Sequence, residues 1–209
     1  MRVAREGYPL ILTVAACGVA ALAFGWTLFS IVLFLLALAV AGFFRDPERI
    51  IPTGENLILA PADGKVVSIA PVTPSGMFAG SATRISIFLS PLDVHINRIP
   101  VAGKVSEVRY QRGAFLPAYN EAASERNEQN ALEIVDGAGR SLGVVQIAGV
   151  MARRIVCWAK VGDDMGRGDR FGLIMFGSRT DTYLPHGCSV EVGEGQRVRG
   201  GETIIGRFV

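Results

Sequence analysis

Two histidines, three cysteines and one Gly-Ser pair inside a strand-like run limit the chemistry open to this 209-residue chain. The pair stands in RFGLIMFGSRTDTYLP, residues 170–185. There Phe171, Leu173, Ile174, Met175 and Phe176 on one side, and Thr180, Thr182, Tyr183 and Leu184 on the other, all favour strand. Gly177-Ser178 reads first as a bulge or tight turn. A serine after glycine on a strained turn has a second option. Its hydroxyl can attack the carbonyl of the preceding residue and convert the peptide bond to an ester, the small glycine leaving room for the tetrahedral intermediate. β-Elimination of that ester leaves dehydroalanine, which hydrolyses to a pyruvoyl group, a ketone electrophile capping a new N-terminus. Such a hydroxyl needs a base, and the base needs an orienting acid. His95, in SPLDVHINRIP, and His186, in PHGCS, are the available bases. Asp63, in APADGK, is an available acid, although an Asp there by default accepts the N–H groups of its own turn. Gly187-Cys188 offers a rival shift to sulfur, since thiolates are the better nucleophiles. A thioester would hydrolyse or exchange rather than lead to a pyruvoyl group, so Cys188 is read as a turn residue.

The elements that must position these residues are of two kinds. Between Glu6 and Arg45 no residue is charged, a run of 38. One untilted membrane-crossing helix needs only about 20 residues, so two arms of about 17 to 19 are expected, broken at Phe24-Gly25-Trp26. Arg2 and Arg5 flank one end and Arg45 and Arg49 the other, which favours a hairpin with both ends cytoplasmic. A shallow re-entrant or interfacial hairpin stays open as the alternative. A cleaved signal peptide is not expected, because a second apolar arm follows the first. The expected division is a membrane hairpin at 1–44, a polar linker at 45–56 and one domain at 57–209.

That domain reads as short strands at 57–60, 65–72, 83–89, 103–112, 131–136, 142–150, 154–161, 171–176, 180–184, 189–192 and 203–208, with turns such as ADGK, DGAG and GEGQ between them. Residues 118–130 suit a short helix or a loop equally. The fold class is mainly β (α+β), barrel-sandwich-like, behind a helical hairpin. With a net charge of +2 and no Lys/Arg run outside the N-terminal region, no nucleic-acid partner is expected. The odd cysteine count without CxxC, and only two histidines, point to neither a disulfide framework nor a metal site.

Four segments in order, LAPADGKV, FLSPLDVHINRIPVAGKV, QIAGVMARRIVCW and GDRFGLIMFGSRTDTYLP, closely resemble the phosphatidylserine decarboxylase proenzymes, in particular their short membrane-associated form. The resemblance implies an enzyme that converts phosphatidylserine to phosphatidylethanolamine and CO2 through a pyruvoyl Schiff base, with no need of pyridoxal phosphate or a metal. It implies autocatalytic cleavage at Gly177-Ser178 into a large β chain, 1–177, and a small α chain, 178–209, which stay together as a heterodimer. A further homo-oligomer is left open. Carried over by position, Ser178 forms the pyruvoyl group, His95 is the histidine and Asp63 the acid. Longer members have His-x-x-His where this chain has His95-Ile96-Asn97-Arg98, so part of the work shared there by two histidines falls on His95 or on Arg98. Met175 stands where many short members have arginine. The implied location is the cytoplasmic face of the cell membrane, with phosphatidylserine drawn from the bilayer. A membrane-anchored β module without catalysis would explain hairpin and strands. It would not explain why Asp63, His95 and Gly177-Ser178 all fall in matching contexts.

Overall fold

In the computed structural model, which describes every residue except 1, 74–77, 79, 119, 121–122, 151–153 and 176, the chain divides into two compact units, Met1–Glu48 and Arg49–Val209. The first unit is a helical hairpin. Strand β1 (Arg2–Val3) and a 3-10 turn (Arg5–Gly7) lead into α1 (Tyr8–Ala23), with Pro9 in its first turn, where a missing N–H costs nothing. After Phe24-Gly25-Trp26 comes α2 (Thr27–Phe43), and then β2 (Arg45–Asp46), which pairs antiparallel with β1. Gly25 adopts φ 78°, and its N–H together with that of Trp26 closes the end of α1 on the carbonyls of Leu22 and Ala21. Residues Arg5–Ala23 form a helix of 19 residues, long and apolar enough to cross a membrane; Thr27–Phe43 is a shorter apolar helix. The outward surface of both helices is itself apolar: Leu12, Leu28 and Leu38 are exposed, Leu28 to 81%. Such a surface is costly against water and suited to lipid.

The second unit is mainly β, as its turn spacing predicts. Its strands are β3 (Leu57–Leu59), β4 (Gly64–Val72), β5 (Ala82–Leu89), β6 (Ile96–Arg98), β7 (Gly103–Gln111), β8 (Gln129–Val135), β9 (Ser141–Ala148), β10 (Ile155–Cys157), β11 (Asp164–Met165), β12 (Arg170–Ile174), β13 (Ser178–Pro185), β14 (Cys188–Val190), β15 (Arg197–Val198) and β16 (Ile204–Phe208). Eight of them form an antiparallel sheet in the order β11-β7-β8-β9-β13-β5-β4-β15, open at both edges. Two three-stranded sheets, β10-β12-β6 and β14-β16-β3, complete the unit. Ile85 and Ile87 from β5, Leu132 and Ile134 from β8, Val144 from β9 and Phe171 from β12 meet in one buried core.

Of the stretch 118–130, for which a short helix or a loop is expected, the described residues Ala123–Arg126 form a short helix (α3), and Gln129 and Asn130 already belong to β8. The segment has no apolar stripe to hold a longer helix. It is held instead by buried Asn127, whose Nδ2 donates to the carbonyls of Leu116 (2.8 Å) and Ala148 (2.7 Å) while its Oδ1 accepts from Leu116 N. One local outcome does differ from the first reading of the sequence, that of the apolar runs on either side of Gly177-Ser178. They are not one strand with a bulge, because β12 and β13 lie in different sheets and the pair marks the crossing between them.

Candidate functional site

Ser178 opens β13, the strand between β5 and β9, and stands opposite Leu89 on one side and Ala148 on the other. Its residue is 0% exposed, and its Oγ has no hydrogen-bond partner among the described residues. A buried hydroxyl left so is costly, by about 1–3 kcal/mol. Gly177 immediately before it takes φ 62°, a left-handed conformation that suits glycine. A Cβ at Gly149 would overlap the Gly177 carbonyl oxygen, so only glycine at 149 lets that carbonyl pack where it does. The Asn127 bond to Ala148 O fixes the chain one residue before Gly149. Phe176 lies outside the described residues, as do Met151, Ala152 and Arg153 of the third motif.

His95 is carried by the turn that follows β5. The Asp93 carboxylate accepts from Ser90 N (2.9 Å) and Ser90 Oγ (2.6 Å) through one oxygen and from Arg197 Nη1 (2.9 Å) through the other. Burial raises the pKa of this carboxyl, but the Ser90 bonds and the Arg197 charge outweigh it and hold it below the usual carboxylate range. The Asp93 carbonyl lies 2.9 Å from His95 Nδ1. A carbonyl only accepts, so Nδ1 carries the proton and Nε2 is the basic nitrogen of the neutral ring. The buried His95 also receives Ile174 N–H on its own carbonyl at 3.4 Å. It is thus fixed between the end of β12 and the turn after β5, the segments that flank Gly177-Ser178.

Asp63 reaches the same neighbourhood along the backbone, since Leu59 N donates to Pro100 O (3.0 Å) and Arg98 N to Pro61 O (2.8 Å). Its carboxylate is taken up elsewhere. Arg49 Nη2 donates to both oxygens, at 2.9 and 2.8 Å, and Gly200 N donates to Oδ1 at 2.8 Å. Arg98 is buried, with Nη1 donating to Gly168 O at 2.9 Å. Cys188 lies in β14, paired with Phe208 in a different sheet from Ser178, and burial pushes its thiol up, which leaves a poor nucleophile near neutrality. His186 is exposed.

The structure adds polar residues that sequence reasoning passed over. On one face of β13 the Arg179 guanidinium pairs with Asp181 (2.9 Å) and donates to Ser124 and to the carbonyls of Ala118 (3.1 Å) and Asn120 (3.0 Å). On the other, Gln146 of β9 stands opposite Thr180 and bonds both Asn97 and Asn130. Asn130 and Gln146 occupy buried positions within β8 and β9, a signal that strand alternation could have exposed. Among the described residues no group of three or more His, Cys, Asp or Glu side chains is placed to hold a metal ion.

A mainly β unit with a buried serine hydroxyl that has no partner among the described residues, placed where one sheet hands over to another, and a histidine held between the segments that flank it, defines a candidate site for acyl-shift chemistry. The chain belongs to the phosphatidylserine decarboxylase family, whose sequence profile matches residues 36–206. It is 48% identical over 206 residues to the phosphatidylserine decarboxylase proenzyme of Symbiobacterium thermophilum, covering 99% of this chain and 95% of that one. It is 52% identical over 169 residues to the protein of that name from Gluconobacter oxydans, covering 79% and 75%, and 45% identical over 204 residues to that of Syntrophotalea carbinolica, covering 98% and 95%.

Proposed function

We propose that this chain is a self-processing phosphatidylserine decarboxylase that cuts itself between Gly177 and Ser178 and then converts phosphatidylserine to phosphatidylethanolamine and CO2. The observation that carries the reading is the buried Ser178 Oγ, without a partner among the described residues, directly after a left-handed Gly177 whose carbonyl is packed against Gly149. His95 Nε2 takes the hydroxyl proton, Oγ bonds to the Gly177 carbonyl carbon, and the Gly177–Ser178 C–N bond breaks as the nitrogen is protonated. Loss of the Ser178 Cα proton and of the Gly177 carboxylate from Cβ then gives dehydroalanine, which water converts to a pyruvoyl group and ammonia. Burial favours this outcome, since water admitted earlier would hydrolyse the ester back to serine. Asp63, tied to Arg49 and Gly200, acts as a positioning residue: it steadies the segment on which Arg98 N, and with it the turn that carries His95, is hung. Arg98 is an accessory cation for an anionic headgroup.

The pyruvoyl group supplies a ketone that condenses with the substrate's amine and accepts the electron pair released as CO2 leaves. The chain's own residues hold the headgroup, exclude water, and return a proton, from His95, to the carbon that lost the carboxylate. We assign residues 1–44 to a membrane hairpin, 45–56 to a linker and 57–209 to the decarboxylase domain, on the cytoplasmic face of the membrane that holds the substrate. Intact mass spectrometry tests the reading. Expected are a chain of residues 1–177 and a 32-residue chain (209 − 178 + 1) from position 178, blocked by pyruvoyl. Ser178→Ala should stay whole and inactive, while Cys188→Ala should still split. An unsplit active protein, or splitting lost in Cys188→Ala alone, would overturn it.

A further inference from the structure

Three buried amides are hydrogen-bonded in one direction. Asn130 Nδ2 donates to Gln146 Oε1 (3.2 Å), and Gln146 Nε2 donates to Asn97 Oδ1 (2.8 Å). The direction is set by Val156, whose carbonyl lies 3.4 Å from Gln146 Nε2 and can only accept. Gly172 opens the passage, because a Cβ there would stand 2.9 Å from Gln146 Nε2; it also pairs with Asn97 between β12 and β6. The relay ends on Asn97 Nδ2, a donor with no partner among the described residues, in a side chain that is 0% exposed. Since Oδ1 is held by Gln146, the amide cannot flip to hide that donor.

Thr180 stands directly opposite Gln146, its Oγ1 likewise without a partner among the described residues, and shares a face of β13 with Ser178 two residues away. Unspent polar groups of Asn97, Thr180 and Ser178 therefore gather on the inner side of β13. Leaving them so is unfavourable unless something accepts their hydrogen bonds.

We propose that Asn97 Nδ2 binds the carboxylate of the amino-acid headgroup, with Thr180 Oγ1 beside it. This deepens the function proposed above and rests on it. In a serine headgroup the amine and carboxylate share one carbon, whereas the phosphate lies beyond a further carbon and oxygen. With the amine condensed at position 178, a donor held by Gln146 on the same inner side of β13 meets the carboxylate before the phosphate. A neutral amide also suits this carboxylate. A cation would stabilise the charged ground state that decarboxylation must lose, while an amide orients the group at smaller cost to the transition state. Asn97 is thus a specificity-determining residue, choosing lipids that carry a carboxylate beside the amine.

Asn97→Asp keeps the shape and the Gln146 bond but replaces the donor by an acceptor; Asn97→Ala removes both. Each should still split at Gly177-Ser178, and each should raise KM for phosphatidylserine in mixed micelles by about 10- to 100-fold. The decisive readout is borohydride trapping of lipid on the small chain. Trapping by phosphatidylserine should fall by a similar factor, while trapping by phosphatidylethanolamine, which lacks the carboxylate, should stay unchanged. Equal loss with both lipids assigns Asn97 a structural role and overturns the proposal, as does unchanged trapping with both. Loss of splitting places Asn97 in maturation and overturns it too. Failure of the underlying function would look different, because the unmodified protein would then trap neither lipid.

Discussion

At the scale of single residues, the chemistry turns on what Ser178 and its carbonyl neighbour are allowed to touch. Gly149 has no side chain because the Gly177 oxygen needs the space, so Gly149→Ala should displace the carbonyl that Ser178 is to attack. We expect splitting, followed on denaturing gels, to slow by at least tenfold with far-ultraviolet circular dichroism unchanged; splitting at the original rate would remove Gly149 from the site. Asp63 invites a different test. It is paired with Arg49, and both side chains are largely buried. Breaking such a pair from one side costs about 3–5 kcal/mol, because the remaining charge stays buried. Asp63→Ala and Arg49→Met should therefore lower thermal stability and slow splitting to a similar degree, and the double variant should be little worse than either single one. Additive losses would instead favour direct proton traffic through Asp63.

At the scale of elements, the candidate site lies where β5, β12 and β13 end or begin, and the Asp93 carboxylate ties the turn after β5 to Ser90 and Arg197. The Asp93 carboxyl is held below its ordinary range in the folded chain, so its contribution to stability is complete above the unfolded value of about 3.9 and is lost as pH falls through the lower folded value. Acid unfolding monitored by fluorescence should accordingly begin at higher pH in Asp93→Asn, with His95 loosened at the same time. An unchanged acid midpoint would mean that the turn contributes nothing. Much of this architecture was open to reading from the residues alone. The long strands β4, β5, β7, β9 and β13 announce themselves by β-branched and apolar runs and bounding turns, and Gly177-Ser178 by its break in an apolar run. What escaped were pairings made only in three dimensions. Strands β6, β11 and β15 span two or three residues each, too few for any period to register. The partners of Asp63 stand 14 residues before it and 137 after it, and no local rule singles out Arg49 or Gly200.

At the scale of the whole molecule, a two-tailed substrate stays in its bilayer, and the proposed membrane hairpin would keep the enzyme where that substrate is. Within the first unit the two ends of the hairpin are joined, since β1 pairs with β2, Arg2 opposite Asp46, and Arg2 lies 4.0 Å from Glu48. Ends joined by backbone hydrogen bonds must emerge on one side of the membrane. With arginine at both ends, the expected side is the cytoplasm. With Cys17, Cys157 and Cys188 replaced, single cysteines at positions 2 and 48 should react with an impermeant maleimide from the cytoplasmic side only, in inverted vesicles and not in intact cells. High salt should leave the protein on the membrane, because the exposed leucines of α1 and α2 hold it by apolar contact rather than by charge. Labelling of the two positions from opposite sides would break the hairpin reading, and release by salt alone would reduce it to a surface contact.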